Sequence, residues 1–427
     1  MVLTRPGYRP RLIDGLIVRR LEAFDALLIE GPKYCGKTWT SLHHSESVYY
    51  VSDSGNSHAN RAGARLDPSG ILIGSGPRLI DEWQEAPGIW DAIRLSVDQG
   101  GQKGRFLITG SSTAVETSTT HSGAGRIARL NMRPMSLFES GDSSGAVSLA
   151  DLICQREIRP EPGNHNLEEL IQLSIRGGWP ESLGLSLDAA ALLPQQYLLS
   201  LAHSDISRLD GIKRNAAKTT ALISSLARNT GQVVNLVTFG KDIAQHSDRE
   251  RLSVQTIADY LARLKELFVI EDLPGWAPAL RSPMRLRSTP KRFFVDPSLA
   301  VAGLRANRET LIRDTRALGA IFENLVVRDL LIYAALNGAE LFYYLDDSQL
   351  DIDVILGFGG ERWAAIEIKL GSSQEDEAAK KLVRLKKKLV DRGIRPPLFL
   401  AVVTGIGSTA HKRDDGVYIA PIDCLKP

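Results

Sequence analysis

The chain has 427 residues, enough for roughly two to four domains, and a composition ordinary for a globular protein. Its formal net charge is +2, so any nucleic-acid surface must be a local basic patch and not a global field. No apolar run approaches the roughly 20 residues of a membrane helix, and residues 1–11 lack the apolar core of a signal peptide. The 3 cysteines are scattered and give no disulfide framework. Together these observations predict a cytoplasmic protein without a membrane partner.

A phosphate-binding loop follows the first predicted strand. Residues 25–30 form a short apolar run, and the next eight residues match G-x-x-x-x-G-K-[ST]. In such a loop, backbone N–H groups and a helix N-terminus face the phosphates. The lysine reaches the β- and γ-phosphates, and the hydroxyl of the last residue binds Mg²⁺. We therefore predict an ATP and Mg²⁺ site in which Lys37 is catalytic and Thr38 is a metal ligand; a chance glycine loop is the alternative. The predicted nucleotide-binding residues here are Gly31, Pro32, Lys33, Tyr34, Cys35, Gly36, Lys37, Thr38 and Trp39.

Two carboxylates end the next predicted strand, residues 78–83. Asp81 is expected to bind Mg²⁺ through water, and Glu82 to polarise the attacking water. The alternative is the capped start of a helix, a position that acidic residues favour. A further apolar strand ends in Thr109 and Ser111, which would contact the γ-phosphate or orient the water, or else form a polar turn. We assign Thr109 to the nucleotide site.

Three arginines lie close together between Gly125 and Arg133. One of them could reach a transition-state phosphate, in the same chain or from a neighbouring subunit of a homo-oligomer. Arg126 is the first candidate for this nucleotide contact and Arg129 the second. A solvated strand face is the alternative explanation of the same pattern.

The phosphate loop, the I-D-E-W-Q strand, the L-I-T-G-S-S strand and the G-R-I-A-R-L…R-P-M-S-L-F-E stretch together resemble the ATPase module of a prokaryotic AAA+-like family. That family is close to the archaeal ATPases and the signalling P-loop ATPases. The resemblance covers about residues 10–210 and implies an α/β core with a parallel sheet. Residues 177–181, G-G-W-P-E, are similar to a G-G-[FWY]-P-E signature of the family, for which the sequence gives no chemical role.

A helix–turn–helix–hairpin pattern follows a helical region at residues 190–230. Residues 238–244 read as a short helix, Ser253 caps a second helix, and residues 269–273 and 293–297 read as strands. This order predicts a winged helix. An acid-free stretch after the second helix suits a DNA backbone, although a domain-docking winged helix is the alternative. Its basic residues are Arg281, Arg285, Arg287, Lys291 and Arg292.

The C-terminal region carries a second set of acidic and basic residues. Asp353 lies in one predicted strand, Glu367 and Lys369 alternate in the next, and Glu323 lies on the preceding helix. The carboxylates are expected to hold Mg²⁺ or Mn²⁺, with Lys369 positioning or deprotonating water. Asp353, Glu367 and Lys369 would be catalytic, and Glu323, Asp353 and Glu367 would be metal ligands. Asp…Glu-x-Lys on adjacent strands is the arrangement of PD-(D/E)xK nucleases, and this region resembles the nuclease-like domain that ends the family's chains. A structural ion-pair cluster on an inactive fold is the alternative.

The predicted fold class is α/β: a P-loop ATPase with a parallel sheet, a winged-helix module and a C-terminal α/β restriction-endonuclease-like domain. The predicted function is that of an ATP-binding and ATP-hydrolysing protein with a DNA-acting, metal-dependent nuclease-like C-terminal domain. The alternative is a nucleotide-gated regulatory or signalling ATPase whose nuclease-like domain is an inactive DNA- or protein-binding scaffold. The predicted domains are 1–150 (ATPase core), 151–230 (helical region), 231–303 (winged helix) and 304–427 (nuclease-like).

Overall fold

In the computed structural model, the chain folds into two compact units. The described residues are 3–52, 55–111, 125–209, 211–246, 252–277 and 289–427. The first unit comprises Met1–Pro134, Ser204–Lys213 and Ala262–Val269, and the second comprises Met135–His203, Arg214–Leu261 and Ile270–Pro427. Within the described residues, none of the helices has the length and apolar character needed to cross a membrane. The division into four domains stays a prediction.

The first unit is built on a parallel sheet with the strand order β2-β3-β4-β1-β5. Its strands are β1 (Ala26–Glu30), β2 (Ser47–Tyr50), β3 (Arg78–Asp81), β4 (Phe106–Gly110) and β5 (Ile127–Asn131). Its first helices are α1 (Asp14–Ala23), α2 (Lys37–His43), α3 (Ser57–Leu66) and α4 (Gly88–Asp98). The central strands are nearly continuous apolar runs because both of their faces are buried. This confirms the predicted α/β fold with a parallel sheet, whose carboxyl edge gathers the ends of β1, β4 and β3.

The segment after β5 is mainly helical. Its helices are α5 (Leu137–Ser140), α6 (Leu149–Ile153), α7 (Leu167–Arg176), α8 (Leu187–Ser200), α9 (Ile206–Arg208) and α10 (Ala216–Arg228). Two short strands, β6 (Val147–Ser148) and β7 (Glu161–Pro162), interrupt it. Capping boxes set the starts of two helices: Ser136 with Glu139 begins α5, and Asn166 with Glu169 begins α7. Residues 135–150, which the sequence assigned to the ATPase core, pack within the second unit.

Two helices and an antiparallel hairpin come next in the chain, in the order that the sequence predicted. They are α11 (Leu236–His246), α12 (Val254–Glu266), β8 (Ile270–Leu273) and β9 (Lys291–Phe294). Arg281, Arg285 and Arg287 lie outside the described residues. Lys291 is 4% exposed and Arg292 is half-buried, so the expectation that these two face a DNA backbone is wrong. The winged-helix assignment itself stays a prediction.

The C-terminal part of the chain forms a mixed sheet with the order β10-β11-β12-β13-β15-β14-β7. Its strands are β10 (Glu340–Leu345), β11 (Asp351–Gly357), β12 (Trp363–Gly371), β13 (Leu400–Ile406), β14 (Thr409–Lys412) and β15 (Tyr418–Pro421), and β16 (Leu425–Lys426) pairs with β6. The helices of this region are α13 (Pro297–Leu304), α14 (Arg308–Arg313), α15 (Thr315–Leu336) and α16 (Glu375–Val390). Strands β10, β11 and β12 are antiparallel neighbours, and β12 and β13 are parallel because α16 connects them. The arrangement places β11 and β12 side by side.

The G-G-W-P-E signature lies at a tightly packed junction inside the second unit. Gly178 N–H donates to Asp296 Oδ2 at 2.9 Å, and Gly178 carbonyl accepts from Met135 N–H at 2.7 Å. A Cβ on Gly178 would lie 2.1 Å from the Met135 carbonyl oxygen, so this approach requires glycine. The Trp179 indole N–H donates to Ser298 Oγ at 2.9 Å. The signature therefore joins the segment before α5 to the start of α13.

A buried cation completes the same junction. Arg328, on α15, pairs with Asp296 at 3.0 Å and with its neighbour Asp329 at 2.8 Å, and all three side chains are at most 1% exposed. Asp329 also accepts from Leu137 N–H at 2.9 Å. Burial opposes the charge of Arg328, but the two carboxylates outweigh it and raise its pKa. One buried guanidinium thus holds together three segments that are distant in sequence.

Candidate functional site

The glycine positions of the phosphate loop have local causes. The loop follows β1 and ends where α2 begins, with Gly36 as the N-cap in a left-handed conformation (φ +102°) that favours glycine. At the other end, a Cβ on Gly31 would lie 2.1 Å from the Met132 carbonyl oxygen. The N-terminus of α2 therefore opens directly from the loop, as the motif predicts.

Lys37 holds the loop from inside. Its side chain is buried, and its ammonium donates to the carbonyls of Gly31 at 2.9 Å and Pro32 at 2.7 Å. Lys33 pairs with Asp205 at 2.7 Å. The loop is thus held in shape by its own lysine.

Other loop residues have separate environments. Cys35 is fully buried, with its Sγ 3.5 Å from the Met132 carbonyl oxygen, as expected of a small filler. Tyr34 and Trp39 are 63% and 42% exposed, large values for aromatic residues. Tyr34 lies within the loop and Trp39 in α2, where the Arg5 guanidinium is 5.8 Å from the Trp39 ring centre.

The two predicted magnesium ligands meet at the carboxyl edge of the sheet. Thr38 Oγ1 donates to Asp81 Oδ1 at 2.9 Å. Thr109 Oγ1 donates to the same carboxylate oxygen at 2.5 Å, because β4 lies between β1 and β3 in the sheet. Burial raises the pKa of Asp81, although the hydroxyl of Thr109 acts in the opposite direction. Hydroxyl and carboxylate oxygens beside a lysine and a helix N-terminus fit a nucleotide with Mg²⁺. The structure places Thr109 against Asp81, as a residue that orients it.

Glu82 has an unusual backbone for a non-glycine residue, in the left-handed region at φ +59°. Such a conformation costs roughly 1–3 kcal/mol and is common at functional sites. The Glu82 N–H donates to Thr109 Oγ1 at 3.1 Å, and its carboxylate accepts from Ser111 at 3.1 Å and from Gln84. The polar end of β4 therefore holds the carboxylate that the sequence proposed to activate water. Ser112, in the same polar end, lies outside the described residues.

Arg126 lies at the opposite edge of the sheet from the loop. The next residue, Ile127, pairs with Ala26 at the start of β1, whereas the loop follows the end of that strand. Five strand residues span roughly 16 Å, which exceeds the reach of an arginine side chain. Arg126 instead pairs with Asp98 at 2.5 Å. The prediction that Arg126 contacts nucleotide within its own chain is wrong. Arg129, the second candidate, pairs with Glu30 at 3.3 Å.

The acidic and basic residues of the C-terminal region meet as the sequence predicted. The pairing of Val354 with Ile366 places Asp353 beside Glu367, and Lys369 Nζ contacts both carboxylates, so the two side chains share one side of the sheet. Lys369 Nζ lies 2.8 Å from Glu367 Oε2 and 3.3 Å from Asp353 Oδ2. Lys381, on α16, contacts the other Glu367 oxygen at 2.8 Å. Lys369 is thus an ammonium between two carboxylates, and their attraction outweighs burial and raises its pKa.

A further lysine enters this group from β9. Lys291 Nζ lies 3.5 Å from Glu323 Oε1, 3.6 Å from Asp351 Oδ1 and 3.7 Å from Asp353 Oδ1. The acid-free sequence around Lys291 did not indicate this role, although strand alternation places Lys291 on the same face as the buried Phe293. We call the whole group of contacting charged residues the carboxylate–lysine cluster: Lys291, Glu323, Asp351, Asp353, Glu367, Lys369 and Lys381.

The carboxylate–lysine cluster does not fit a metal ion in this arrangement. Three ammonium groups lie among four carboxylates, and in the part of the chain that is described no group of three or more His, Cys, Asp or Glu residues is arranged to hold a metal. Burial raises the pKa of Glu323 to about 8 and that of Glu367 to about 7. Lysines contact these oxygens in the structure, and the predicted Mg²⁺ or Mn²⁺ ligation by Glu323, Asp353 and Glu367 stays a prediction.

Comparison with family models divides the chain into three matches. Residues 23–140 match an AAA domain, residues 167–310 a domain of unknown function (DUF8612) and residues 318–425 another domain of unknown function (DUF4143). The first match agrees with the sheet and the loop, so the N-terminal region is an AAA-like P-loop ATPase domain. The other two matches carry no described activity.

Two mycobacterial relatives are 25% identical over 358 residues, which is 83% of this chain and 72% of each relative: an uncharacterized protein of Mycobacterium tuberculosis and one of Mycobacterium bovis. Among solved structures, a Walker-type ATPase of Pyrococcus abyssi is 11% identical, with a TM-score of 0.42 over 70% of this chain and 97% of its own. The ORC2 protein of Aeropyrum pernix is 14% identical, with a TM-score of 0.29 over 74% of this chain and 98% of its own.

Proposed function

We propose that this chain is an ATP-binding and ATP-hydrolysing switch whose C-terminal domain is a folded scaffold for a partner and not a metal-dependent nuclease. The observation that carries the ATPase part is the 2.9 Å contact between Thr38 Oγ1 and Asp81 Oδ1 beside the buried Lys37. These are the groups that a Mg²⁺-bound triphosphate requires. Lys37 and Thr38 lie in the first turn of α2 and Asp81 ends β3, so the groups come from two parts of the chain that are separated in sequence.

In the proposed mechanism, the loop amides and the N-terminus of α2 bind the phosphates, and Lys37 offsets the charge that develops on them. Bound Mg²⁺ would supply further charge neutralisation, with Thr38 and Asp81 holding it. Glu82 would accept a hydrogen bond from the attacking water and orient it. Thr109 holds both acidic residues in position through its single hydroxyl.

The scaffold part of the proposal rests on the carboxylate–lysine cluster. An ammonium lies within 4.0 Å of every carboxylate in it, so three positive charges offset most of the negative charge without a metal ion. Metal-dependent nuclease chemistry at this site would require Lys291 to leave the carboxylate oxygens of Glu323 and Asp353. Among the residues that suggested DNA binding, Lys291 and Arg292 are engaged in ion pairs, with Arg292 3.4 Å from Asp272. A DNA partner stays a prediction.

The ATPase proposal is tested by phosphate release from Mg²⁺–ATP. Lys37→Ala is expected to reduce turnover at least 100-fold, because the loop loses its cation. Glu82→Gln is expected to bind ATP and hydrolyse it at least 100-fold more slowly. Lys213→Ala removes an exposed lysine of the same unit and serves as the matched control. Unchanged turnover in Lys37→Ala would refute the proposal.

The scaffold proposal is tested separately with plasmid, linear duplex and single-stranded DNA in Mg²⁺ or Mn²⁺. We expect no cleavage by the wild-type chain. Cleavage that disappears in Glu367→Gln would establish a nuclease and overturn the scaffold assignment, while leaving the ATPase result untouched.

A further inference from the structure

We propose that Lys291 is a built-in cation of the second unit: its ammonium occupies the place of a divalent metal ion among Glu323, Asp351 and Asp353, and its removal converts this place into an oxygen-donor metal site. The proposal deepens the scaffold assignment made above and rests on it. It identifies the residue that keeps the cluster closed to Mg²⁺, Mn²⁺ or Ca²⁺.

The first argument is geometric. The three carboxylates come from α15 and β11, and one oxygen of each lies 3.5–3.7 Å from Lys291 Nζ. Of these oxygens, Glu323 Oε1 and Asp351 Oδ1 are buried and accept no hydrogen bond from the residues described. The ammonium is therefore held by charge among several anions, as an ion would be, and not by directed hydrogen bonds to one partner.

The second argument concerns burial. The Lys291 side chain is 5% exposed, whereas those of Lys369 and Lys381 are 22% and 29% exposed. Lys291 is fixed by the pairing of β9 with β8 and lies 5.8 Å from the ring centre of Tyr343. The two other lysines are more exposed and contact Glu367. Lys291 is therefore the lysine that cannot move away from the carboxylates without a change in its own strand.

The third argument is the chemistry of the oxygens. Carboxylates are ligands for hard divalent cations, which bind at roughly 2.0–2.6 Å. An ion at the present position of the ammonium, 3.5–3.7 Å from the three oxygens, would bind when each oxygen moves inward by roughly 1–2 Å. A doubly charged ion would also compensate the carboxylates better than the lysine does.

The test is Mn²⁺ binding to the full chain without nucleotide, followed by electron paramagnetic resonance of free Mn²⁺. All proteins carry Asp81→Asn, which removes the carboxylate of the P-loop site. Lys291→Met keeps the length of the side chain and removes its charge. We expect Lys291→Met to bind one Mn²⁺ at least tenfold more tightly than its parent, and Asp353→Asn added to it to abolish the gain. Lys387→Met removes an exposed charge of the same unit and should change nothing.

Circular dichroism in EDTA establishes whether Lys291→Met folds. If it folds only with Mn²⁺, with a thermal midpoint that rises with Mn²⁺ but not with matched NaCl, the proposal is supported. If it does not fold in either condition, it is replaced by Lys291→Met/Glu323→Gln, which also removes one of the carboxyl groups that lose their cation. This double variant must still gain Mn²⁺ binding through Asp353. A folded variant without that gain, or a parent that already binds Mn²⁺ through Asp353 with equal affinity, overturns the proposal. ATP turnover of chains with an intact Asp81 is measured in parallel, so failure here is separable from failure of the ATPase.

Discussion

Replacement of Arg328 by methionine is expected to destabilise the second unit by about 3–5 kcal/mol, the usual loss when one partner of a buried ion pair is removed. The guanidinium pairs with Asp296 at 3.0 Å and Asp329 at 2.8 Å, and methionine leaves both carboxylates without their cation. Asp296 keeps hydrogen bonds from Gly178 and Ser298, and Asp329 keeps one from Leu137. These bonds place the loss within the range for one buried pair and well below twice that value.

Urea unfolding measures this loss, with Trp179 as a local reporter because its indole is buried and bonded in the same junction. A loss of this size is a large part of the roughly 5–15 kcal/mol that stabilises a typical domain. Arg392→Met, at an exposed position, is the matched control and should change stability by less than about 0.5 kcal/mol. Adding Asp296→Asn and Asp329→Asn to Arg328→Met should recover part of the loss. A loss below about 1 kcal/mol in Arg328→Met would refute the reasoning.

Three further predictions follow from the contacts. Gly178→Ala should lower the free energy of unfolding by about 1–3 kcal/mol or more, because the new Cβ would lie 2.1 Å from the Met135 carbonyl oxygen. Gly319→Ala, whose Cβ would enter open space, should cause no such loss, and urea unfolding of both variants compares them. Thr109→Val should slow ATP turnover at least tenfold with nucleotide binding in EDTA unchanged, and equal turnover would exclude its positioning of Asp81. Burial raises the pKa of Glu323 from its ordinary 4.5 to about 8, so between these values the folded state binds a proton that the unfolded state has lost. The free energy of unfolding should therefore fall as the pH rises through this range, and Glu323→Gln should flatten that slope when unfolding is measured from pH 5 to 8.

The ATPase site was predictable because its determinants are local in sequence. The loop, the strand before it and the helix after it are contiguous, so Lys37 and Thr38 could be placed from a motif. Asp81 required one additional inference, that parallel strands end at the same edge of a sheet. Thr109 was assigned to the nucleotide, and its contact with Asp81 depends on β4 lying between β1 and β3, an order that the sequence does not give.

The remaining differences come from contacts across long separations. Arg126 was a candidate because of its residue type, but the register of β5 with β1 places it at the far edge of the sheet. Lys291 was interpreted as part of a basic surface because the stretch around it has no acidic residue. That local pattern does not show which carboxylates from other elements contact Lys291 in the folded chain. The distance in sequence from Lys291 to Asp353 is too large for local patterns to connect them. Charge pattern alone therefore could not distinguish a nucleic-acid face from an internal ion-pair cluster.

The contacts of Lys37 with the carbonyls of Gly31 and Pro32 have a consequence for the speed of nucleotide capture. A loop that is already ordered loses little conformational freedom when a triphosphate arrives, so encounter and not loop ordering should set the association rate. The ammonium must exchange its two carbonyl partners for phosphate oxygens, and the reverse exchange helps product to leave. Turnover of such a site would then be governed by the chemical step or by movements elsewhere in the chain.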